Sequence, residues 1–365
     1  MQKPVLFDTS RVQARAAQHK LQPFKVKQIF FELFKNQNIS YEEMTTLSKD
    51  LRAELEQDFA PLSIEMEEMI EASDTTKFAF KTHDGYIIEA ILMYHRQDEK
   101  YQVSGQKRKL NRITLCISSQ VGCSMNCLFC VTGKLGLTRN LTRDEMISQI
   151  LYANHYIKKR FGKKEDGTTW AVRNVVFMGM GEPLLNYDAV IKSIEVMLAQ
   201  DKLSLGRRHV TISTCGIVAG IQKLIDDKVD VKLAVSLHAP NQTLRNQIMP
   251  IAKAFPLDML MKTIDSYVKA TDNRIFYEYI MIKGITDTPE LAKELVELLR
   301  GRLAHVNLIP YNPHPSIDFL ESESATIWKF KSILERGGIT ATVRDTMGRD
   351  AKGACGQLGY EKVMG

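Results

Sequence analysis

Cys123-Ser124-Met125-Asn126-Cys127-Leu128-Phe129-Cys130 is a Cys-x3-Cys-x2-Cys run, the most specific chemical signal in the chain. Thiolates this close can converge on one inorganic centre, as cysteines do around iron–sulfur clusters. A cubane [4Fe-4S] cluster has four irons, so three protein ligands leave one iron open, as catalytic metal sites keep a coordination position free. A structural zinc completed by Cys116 is the alternative that the spacing allows. Against it, Cys116 falls inside a predicted strand, and no further CxxC knuckle or HxxxH pair accompanies the run. Six cysteines in 365 residues are too few for a disulfide framework, and four of them lie between 116 and 130, which points to metal or redox chemistry.

Gly179-Met180-Gly181-Glu182-Pro183 ends a later β-rich run. Its glycines let the backbone approach a ligand closely and take positive φ, and a carboxylate at a strand end can accept hydrogen bonds from an ammonium. Alone, such a stretch is more often just a turn. Glu89 in Ile87-Ile88-Glu89-Ala90 is an acid within an apolar strand, either a general base facing a site or a solvent-facing position on an alternating strand. Cys355 in Gly353-Ala354-Cys355-Gly356-Gln357-Leu358 is flanked by small residues, which are expected to make a mobile, accessible loop.

These groups need elements to hold them. Val26, Ile29, Phe30, Leu33 and Phe34 share one face at helical spacing, with Pro23 suited to the first turn, and a second helix is expected over 41–58. Strands over 77–81 and 86–93, joined through His83-Asp84-Gly85, make a hairpin. From residue 113 the texture becomes a repeating βα pattern. Strands are predicted at 113–118, 174–178, 209–213, 231–237, 275–282 and 305–309, with helices near 143–160, 187–200, 217–226, 257–270 and 287–300. Six parallel strands with right-handed crossovers are fewer than a closed barrel needs, so an α/β partial barrel or open parallel sheet is expected. In either form the chemistry belongs at the carboxyl ends of the strands.

Hydrophobic residues are 44% and charged residues 25%, which excludes a disordered, collagen-like or coiled-coil chain. No apolar run approaches the ~18 residues of a membrane helix, and residues 1–8 lack the apolar core of a signal peptide. A cytoplasmic protein with no membrane partner is expected. The net charge of +6 permits a polyanionic partner without requiring one. Basic residues cluster at Lys107, Arg108, Lys109 and Arg112, at Lys158, Lys159, Arg160, Lys163 and Lys164, and at Arg207 and Arg208. Solvated surface is the plain use of such clusters, and phosphate contact the functional one.

The three-cysteine run, with an aromatic before its last cysteine, resembles the cluster motif of radical S-adenosylmethionine (SAM) enzymes. The wider stretch Cys116-Ile117-Ser118-Ser119-Gln120-Val121-Gly122-Cys123, continuing through Thr132-Gly133 to Arg139-Asn140-Leu141, resembles the RlmN/Cfr family of adenosine-methylating RNA enzymes, and the likeness runs from Phe24 to Leu358. The resemblance implies a partial (β/α)6 radical SAM barrel. Residues 1–100 would be a small helical RNA-binding domain with its hairpin, 101–345 the barrel, and 346–365 a loop carrying a methyl-carrier cysteine.

It implies a [4Fe-4S] cluster on Cys123, Cys127 and Cys130, and two SAM molecules per turnover. Gly181 and Glu182 match the motif that holds the SAM amino group, while Ser213, Ser236, Leu237, His238 and Asn312 fall on other SAM contacts. Cys355 matches the carrier: one SAM methylates its sulfur, and a second yields a 5′-deoxyadenosyl radical that takes a hydrogen from that methyl group. The carbon radical then adds to adenine. Adenine C2 is not nucleophilic, so ordinary methyl transfer cannot operate there. Glu89 matches the proton acceptor, and Cys116 the cysteine that releases RNA by forming a transient disulfide with Cys355. Cys215 has no role in this scheme and is expected to pack.

The implied substrates are 23S rRNA near the peptidyl-transferase centre and tRNA beside the anticodon. The implied enzyme works as a monomer with an electron donor such as flavodoxin or ferredoxin. Gly181-Glu182-Pro183-Leu184-Leu185-Asn186 and Ile309-Pro310-Tyr311-Asn312-Pro313 look more like the C2-methylating group than its C8-methylating relative. A non-catalytic RNA-binding protein with structural zinc is the alternative of a different class.

Overall fold

The computed structural model describes residues 3–96, 110–351 and 353–359. Asp8 caps α1 (Thr9–Gln18) by accepting from the Arg11 N–H, and Pro23 opens α2 (Pro23–Phe30), where its missing N–H costs nothing. Ile29, Phe30, Leu33 and Phe34 are buried as their spacing predicts, although the chain closes this stretch with a π turn over Phe31–Lys35. The helix expected over 41–58 is two pieces, a 3-10 turn at Tyr41–Glu43 and α3 (Lys49–Asp58). Ser48 makes the break: its extended backbone and side chain, which accepts from the Leu51 N–H, start a new helix.

Next come β1 (Ile64–Glu71), β2 (Thr75–Thr82), β3 (Ile87–Arg96) and β4 (Leu110–Cys116), then a small hairpin of β5 (Gln120–Cys123) and β6 (Gly136–Asn140) flanking α4 (Val131–Lys134). After α5 (Arg143–Phe161) the chain alternates: β7 (Asn174–Phe177), α6 (Tyr187–Leu198), β8 (Val210–Thr214), α7 (Val218–Asp226), β9 (Lys232–Ser236), α8 (Gln242–Ile248), α9 (Leu257–Thr271), β10 (Ile275–Met281), α10 (Pro289–Leu299), β11 (Ala304–Pro310), α11 (Ser324–Arg336) and β12 (Thr340–Val343). Ten strands form one sheet in the order β1-β2-β3-β4-β7-β8-β9-β10-β11-β12. Pairing is antiparallel from β1 to β4 and parallel from β4 to β12.

All six expected parallel strands form, and α11 and β12 add a further unit. The hairpin expected to belong to the first domain instead extends the barrel sheet, because β3 pairs with β4 through Ile91 opposite Cys116 and His95 opposite Arg112. A boundary at residue 100 therefore cuts a continuous sheet. No helix among the described residues is long and apolar enough to cross a membrane.

Period-two alternation decides what faces the inside of the half-barrel. Leu115, Val175, Phe177, Ile212, Leu233, Val235, Tyr277, Val306 and Leu308 point outward into the main core. Registered neighbours on the other face of each strand include Glu89, Cys116, Ser213, Ser236 and Glu278. Strand parity thus collects most of the sequence candidates on one concave surface.

Candidate active site

Cys123 ends β5, and Cys127 and Cys130 follow on the loop into α4. The loop is propped from below by the end of α8, whose Ile248 carbonyl accepts from the Leu128 N–H at 3.0 Å. The fully buried Arg245 of α8 donates to the Cys215 carbonyl at 2.6 Å and the Leu237 carbonyl at 3.3 Å. Its Nη1 has no partner among the described residues, and its charge is felt at Cys127. A buried guanidinium with a spare donor suits a thiolate-held anionic centre above it.

The three sulfurs are not gathered within 4.8 Å of one another, wider than the roughly 3.8 Å between two thiolates on one tetrahedral zinc with ~2.3 Å bonds. Burial pushes the thiols of Cys123, to about 12, and of Cys127 and Cys130 above their ordinary range, so a metal centre is what would hold them as thiolates.

The turn after β7 shows why glycine stands at 181. Its φ is +104°, and a Cβ there would lie 2.5 Å from Gln120 Cβ, a conformation and a clearance only glycine allows. Gln120 accepts from the Glu182 N–H at 2.8 Å and donates to Asn140 at 2.7 Å, tying this turn to the β5–β6 hairpin. Glu182 is buried, with one carboxyl oxygen accepting from the Leu184 N–H at 3.0 Å and the other from the Cys215 N–H at 2.8 Å. Burial raises its pKa against the pull of those donors. Each oxygen keeps a lone pair for an ammonium.

Gly181, Glu182, Ser213, Ser236 and His238 line one cavity together with Cys123, Cys127, Cys130 and Cys355. His238 sits at φ +56° and accepts the Ile280 N–H on Nδ1 at 3.1 Å. Burial lowers its pKa to about 3, so the ring is neutral and carries its proton on Nε2. Its ring meets Phe129 of the cysteine loop edge-on, with centroids 4.7 Å apart.

Two further residues expected to contact SAM are not among those lining this cavity. Leu237 is fully buried in the core, as a large apolar side chain on the outward parity must be. Asn312 turns to the carrier loop, donating to the Cys355 carbonyl at 3.2 Å and accepting from Arg349 Nε at 3.1 Å. Cys215, expected to pack, is buried in the main core and also lines the cavity beside Glu182.

The loop around Cys355 is stitched down rather than loose. The Gly356 carbonyl accepts from the Val131 N–H at 2.9 Å, the Leu358 carbonyl from Thr132 Oγ1 at 2.6 Å, and the Pro313 carbonyl from Gln357 Nε2 at 3.0 Å. At Gly353 a Cβ would meet Ile91 Cδ1 at 2.6 Å. Cys355 is exposed, opening to the cavity, yet the protein atoms around it raise its pKa, with the positive charge of Arg344 opposing. Cys116 stands behind, in a small apolar cluster with Ile91, Met180 and Leu358. Burial and then Cys355 push its thiol up to about 12.

Glu89 is fully buried on the same face, not solvent-facing. Its Oε2 accepts the Gly359 N–H at 2.7 Å, and Lys77 Nζ lies 3.0 Å from Oε1 as an ion pair without hydrogen-bond alignment.

Sequence reading passed over Lys77, Arg245, Glu278 and Arg344. Glu278 is an acid inside an apolar strand, as Glu89 is, so the same oddity marked it. It accepts from Asn307 at 2.9 Å and lies 3.9 Å from Arg344 Nε. Nothing local marks Arg344, which β12 carries to the two thiols.

The basic run at 158–164 largely serves the fold. Lys158 donates to the Asn36 carbonyl at 2.9 Å, Lys159 pairs with Glu43, Arg160 lies 3.2 Å from Glu71, and Lys164 covers Trp170 at 4.9 Å. Arg207 pairs with Asp230 at 2.8 Å. Lys107, Arg108 and Lys109 lie outside the described residues.

Residues 117–299 match the Radical SAM superfamily. A protein of Thermoanaerobacter sp. (strain X514) named probable dual-specificity RNA methyltransferase RlmN is 40% identical over 337 residues, 92% of this chain and 91% of that one. Its namesake in Aquifex aeolicus (strain VF5) is 38% identical over 348 residues, 94% and 93%. The crystal structure of a radical SAM methyltransferase from Sphaerobacter thermophilus superposes with a TM-score of 0.87 at 37% identity, covering 98% of this chain and all of that one. With a barrel, a three-thiol loop and Cys355 facing it arranged as above, the chain belongs to the RlmN family of radical SAM RNA methyltransferases.

Proposed function

We propose that this protein methylates C2 of adenosine in 23S rRNA and in tRNA, carrying the methyl carbon on Cys355 and releasing the product through Cys116. The observation that carries the reading is the placement of the Cys355 sulfur in the cavity shared by the three cysteines and Glu182, with Cys116 behind it. The donor set and the glycine cradle fit the cofactors of the family. Cys123, Cys127 and Cys130 would hold a [4Fe-4S] cluster, which would supply the one electron that cleaves SAM, received from a carrier such as flavodoxin or ferredoxin.

Glu182 accepts from the SAM ammonium, and Ser213, Ser236 and the Nε2–H of His238 offer polar contacts to the rest of the molecule. Cys355 sulfur takes the first methyl group as the sulfonium S–C bond breaks and S-adenosylhomocysteine leaves. Loss of a hydrogen atom from that methyl, at the expense of a second SAM, lets its carbon add to adenine C2 and tether RNA to Cys355. The tethered adduct gives up one electron, which the oxidised cluster held by Cys123, Cys127 and Cys130 would take back, and Glu89 takes the C2 proton. Cys116 thiolate then attacks Cys355 sulfur. The S–S bond forms, the S–C electron pair passes to carbon, and that carbon takes a proton to become the RNA methyl group. An external dithiol reduces the disulfide for the next cycle.

Anaerobic incubation of the iron-loaded protein with SAM, a reductant and each RNA, followed by nucleoside mass spectrometry, tests the reading. It predicts 2-methyladenosine. An 8-methyladenosine product would place the chain's chemistry with the C8 enzymes, and stoichiometric zinc without iron would remove the radical route.

A further inference from the structure

The cysteine loop and the Cys355 loop both lie over the carboxyl ends of the strands, and the other end of the concave face carries a different set of groups. There, a band of hydrogen-bonding side chains crosses the sheet. His95 Nε2 is 3.0 Å from Thr114 Oγ1, which accepts from Asn174 at 3.3 Å, and Asn174 Oδ1 is 2.7 Å from His209 Nδ1. On the far side Lys232 Nζ lies 5.6 Å from the Phe276 ring centre, Phe276 meets His305 at 5.4 Å, and His305 Nε2 is 2.8 Å from Thr342 Oγ1.

Arg112, Arg173, Arg208 and Arg274 are exposed around this band. None of them, nor Lys232, has a salt-bridge partner among the described residues. These cations add to burial in shifting the ionisation of the band. Burial first, then Arg112 and Arg344, lower His95 to about 4, with Asp345 opposing. Burial and then Arg173, Lys232 and Arg112 lower His209, and burial, Arg112 and Arg208 lower Lys232. The acids bearing on this surface are Asp345, Glu278 and Asp230; Glu278 is already engaged by Asn307 and Arg344, and Asp230, which also feels Arg208, by Arg207 and Asn273.

We propose that this amino-terminal mouth of the half-barrel is the RNA port: its cations grip the phosphates flanking the target nucleotide, Phe276 offers a face for a stacked base, and the adenosine passes up the concave wall to Cys355. The proposal rests on the RNA-methylating function proposed above and adds the surface that function uses. Distance supports it. Arg112 and Cys116 stand on one face of β4 four residues apart, a rise of about 13 Å, the scale of a nucleotide turned out of its stack while its neighbours stay on the rim. Unpaired cations interleaved with an aromatic are the chemistry that holds single-stranded nucleic acid. In the 158–164 cluster, Lys158 and Lys159 are spent on the amino-terminal helical segment, Arg160 on β1 and Lys164 on Trp170, so these four do not compete for the role.

The test uses the full chain, purified anaerobically with its iron, and a short RNA hairpin with one loop adenosine. The double variant Arg112→Glu/Lys232→Glu is compared with the parent and with Lys262→Glu on the outer helix α9. Between about 50 and 200 mM salt the double variant should bind at least about tenfold more weakly, and its log K against log salt slope should be shallower by about two. Lys262→Glu should match the parent. Iron content and thermal midpoint report folding. If the double variant loses either, protection of parental Lys232 from acetylation by the bound hairpin decides in its place. Unchanged affinity and slope, or equal acetylation with and without hairpin, overturns the port. A parent protein that neither binds nor methylates the hairpin overturns the RNA reading itself, a separate result.

Discussion

Cys116 and Cys355 are the same chemical group in two settings, and the settings assign them different work. Cys355 opens to the cavity on a loop pinned by Val131, Thr132 and Asn312, so it can receive and deliver carbon. Cys116 is walled in by Ile91, Met180 and Leu358, with its thiol pushed up to about 12. Only a thiolate attacks sulfur, so release of the RNA adduct should be limited by the small ionised fraction of Cys116. Below pH 12 that fraction grows with pH. The decay of preformed adduct in a single turnover should therefore accelerate about tenfold per unit from pH 7 to pH 9, and a flat profile would contradict the assignment. Replacing any one of Cys123, Cys127 and Cys130 with Ala should abolish iron binding, measured by iron content after anaerobic purification. Retained iron in any single variant would remove that residue from the ligand set. At Gly181, Ala meets both a φ of +104° and Gln120 Cβ at 2.5 Å, a combination expected to cost about 2–3 kcal/mol. Gly181→Ala should lower the melting temperature and weaken SAM binding, and parental values of both would show that the turn tolerates a side chain.

The elements were legible wherever periodicity ran long enough. The parallel strands from β4 to β11 each carried a β-rich run followed by an amphipathic stretch, and their bounds moved by no more than three residues. The terminal unit was not: Thr340–Val343 is four residues long, too short to stand out, although Ile327, Phe330 and Leu334 on α11 were buried at helical spacing. In β1, four glutamates among eight residues hide an edge strand that faces solvent along most of its length. The helix over 41–58 was over-read because an apolar period continues through Met44 and Leu47 while Ser48 restarts the backbone. Arg139 joins three elements that sequence distance separates. It donates to Asp84 at 2.6 Å in the β2–β3 turn and to both oxygens of Glu145, at 2.8 and 2.9 Å, in the first turn of α5. The Glu145 side chain is almost wholly buried, so Arg139→Ala strands a buried carboxylate, a change that costs about 3 kcal/mol. Thermal unfolding should show a lower midpoint than the parent. An unchanged midpoint would mean that water replaces the guanidinium without penalty.

For the whole molecule, one concave face gathers the three-cysteine loop, the glycine turn, Cys355 and Glu89, and strand parity is what brings them there. The candidates carrying their own local signal were readable: spaced thiols, a glycine-rich strand end, an acid in an apolar run. Which way the side chains of Asn312 and Leu237 turn was not readable, because whether a residue at a strand end turns toward the cavity or away depends on neighbours from distant crossovers, here Arg349 and the Cys355 loop for Asn312. Arg344 and Arg245 were unreadable for the same reason, since each matters only through thiols or carbonyls that the fold delivers. The central claim is a division of labour between two cysteines, and Cys116→Ala tests it most directly. Incubated anaerobically with SAM, reductant and RNA, this variant should accumulate protein joined to RNA through Cys355. Denaturing gels should show it as a nuclease-sensitive shift, and deuterium-labelled SAM should place the transferred carbon in the link. Cys116→Ala that instead releases methylated RNA turnover after turnover would contradict the disulfide step and return Cys116 to the role of a buried strand residue.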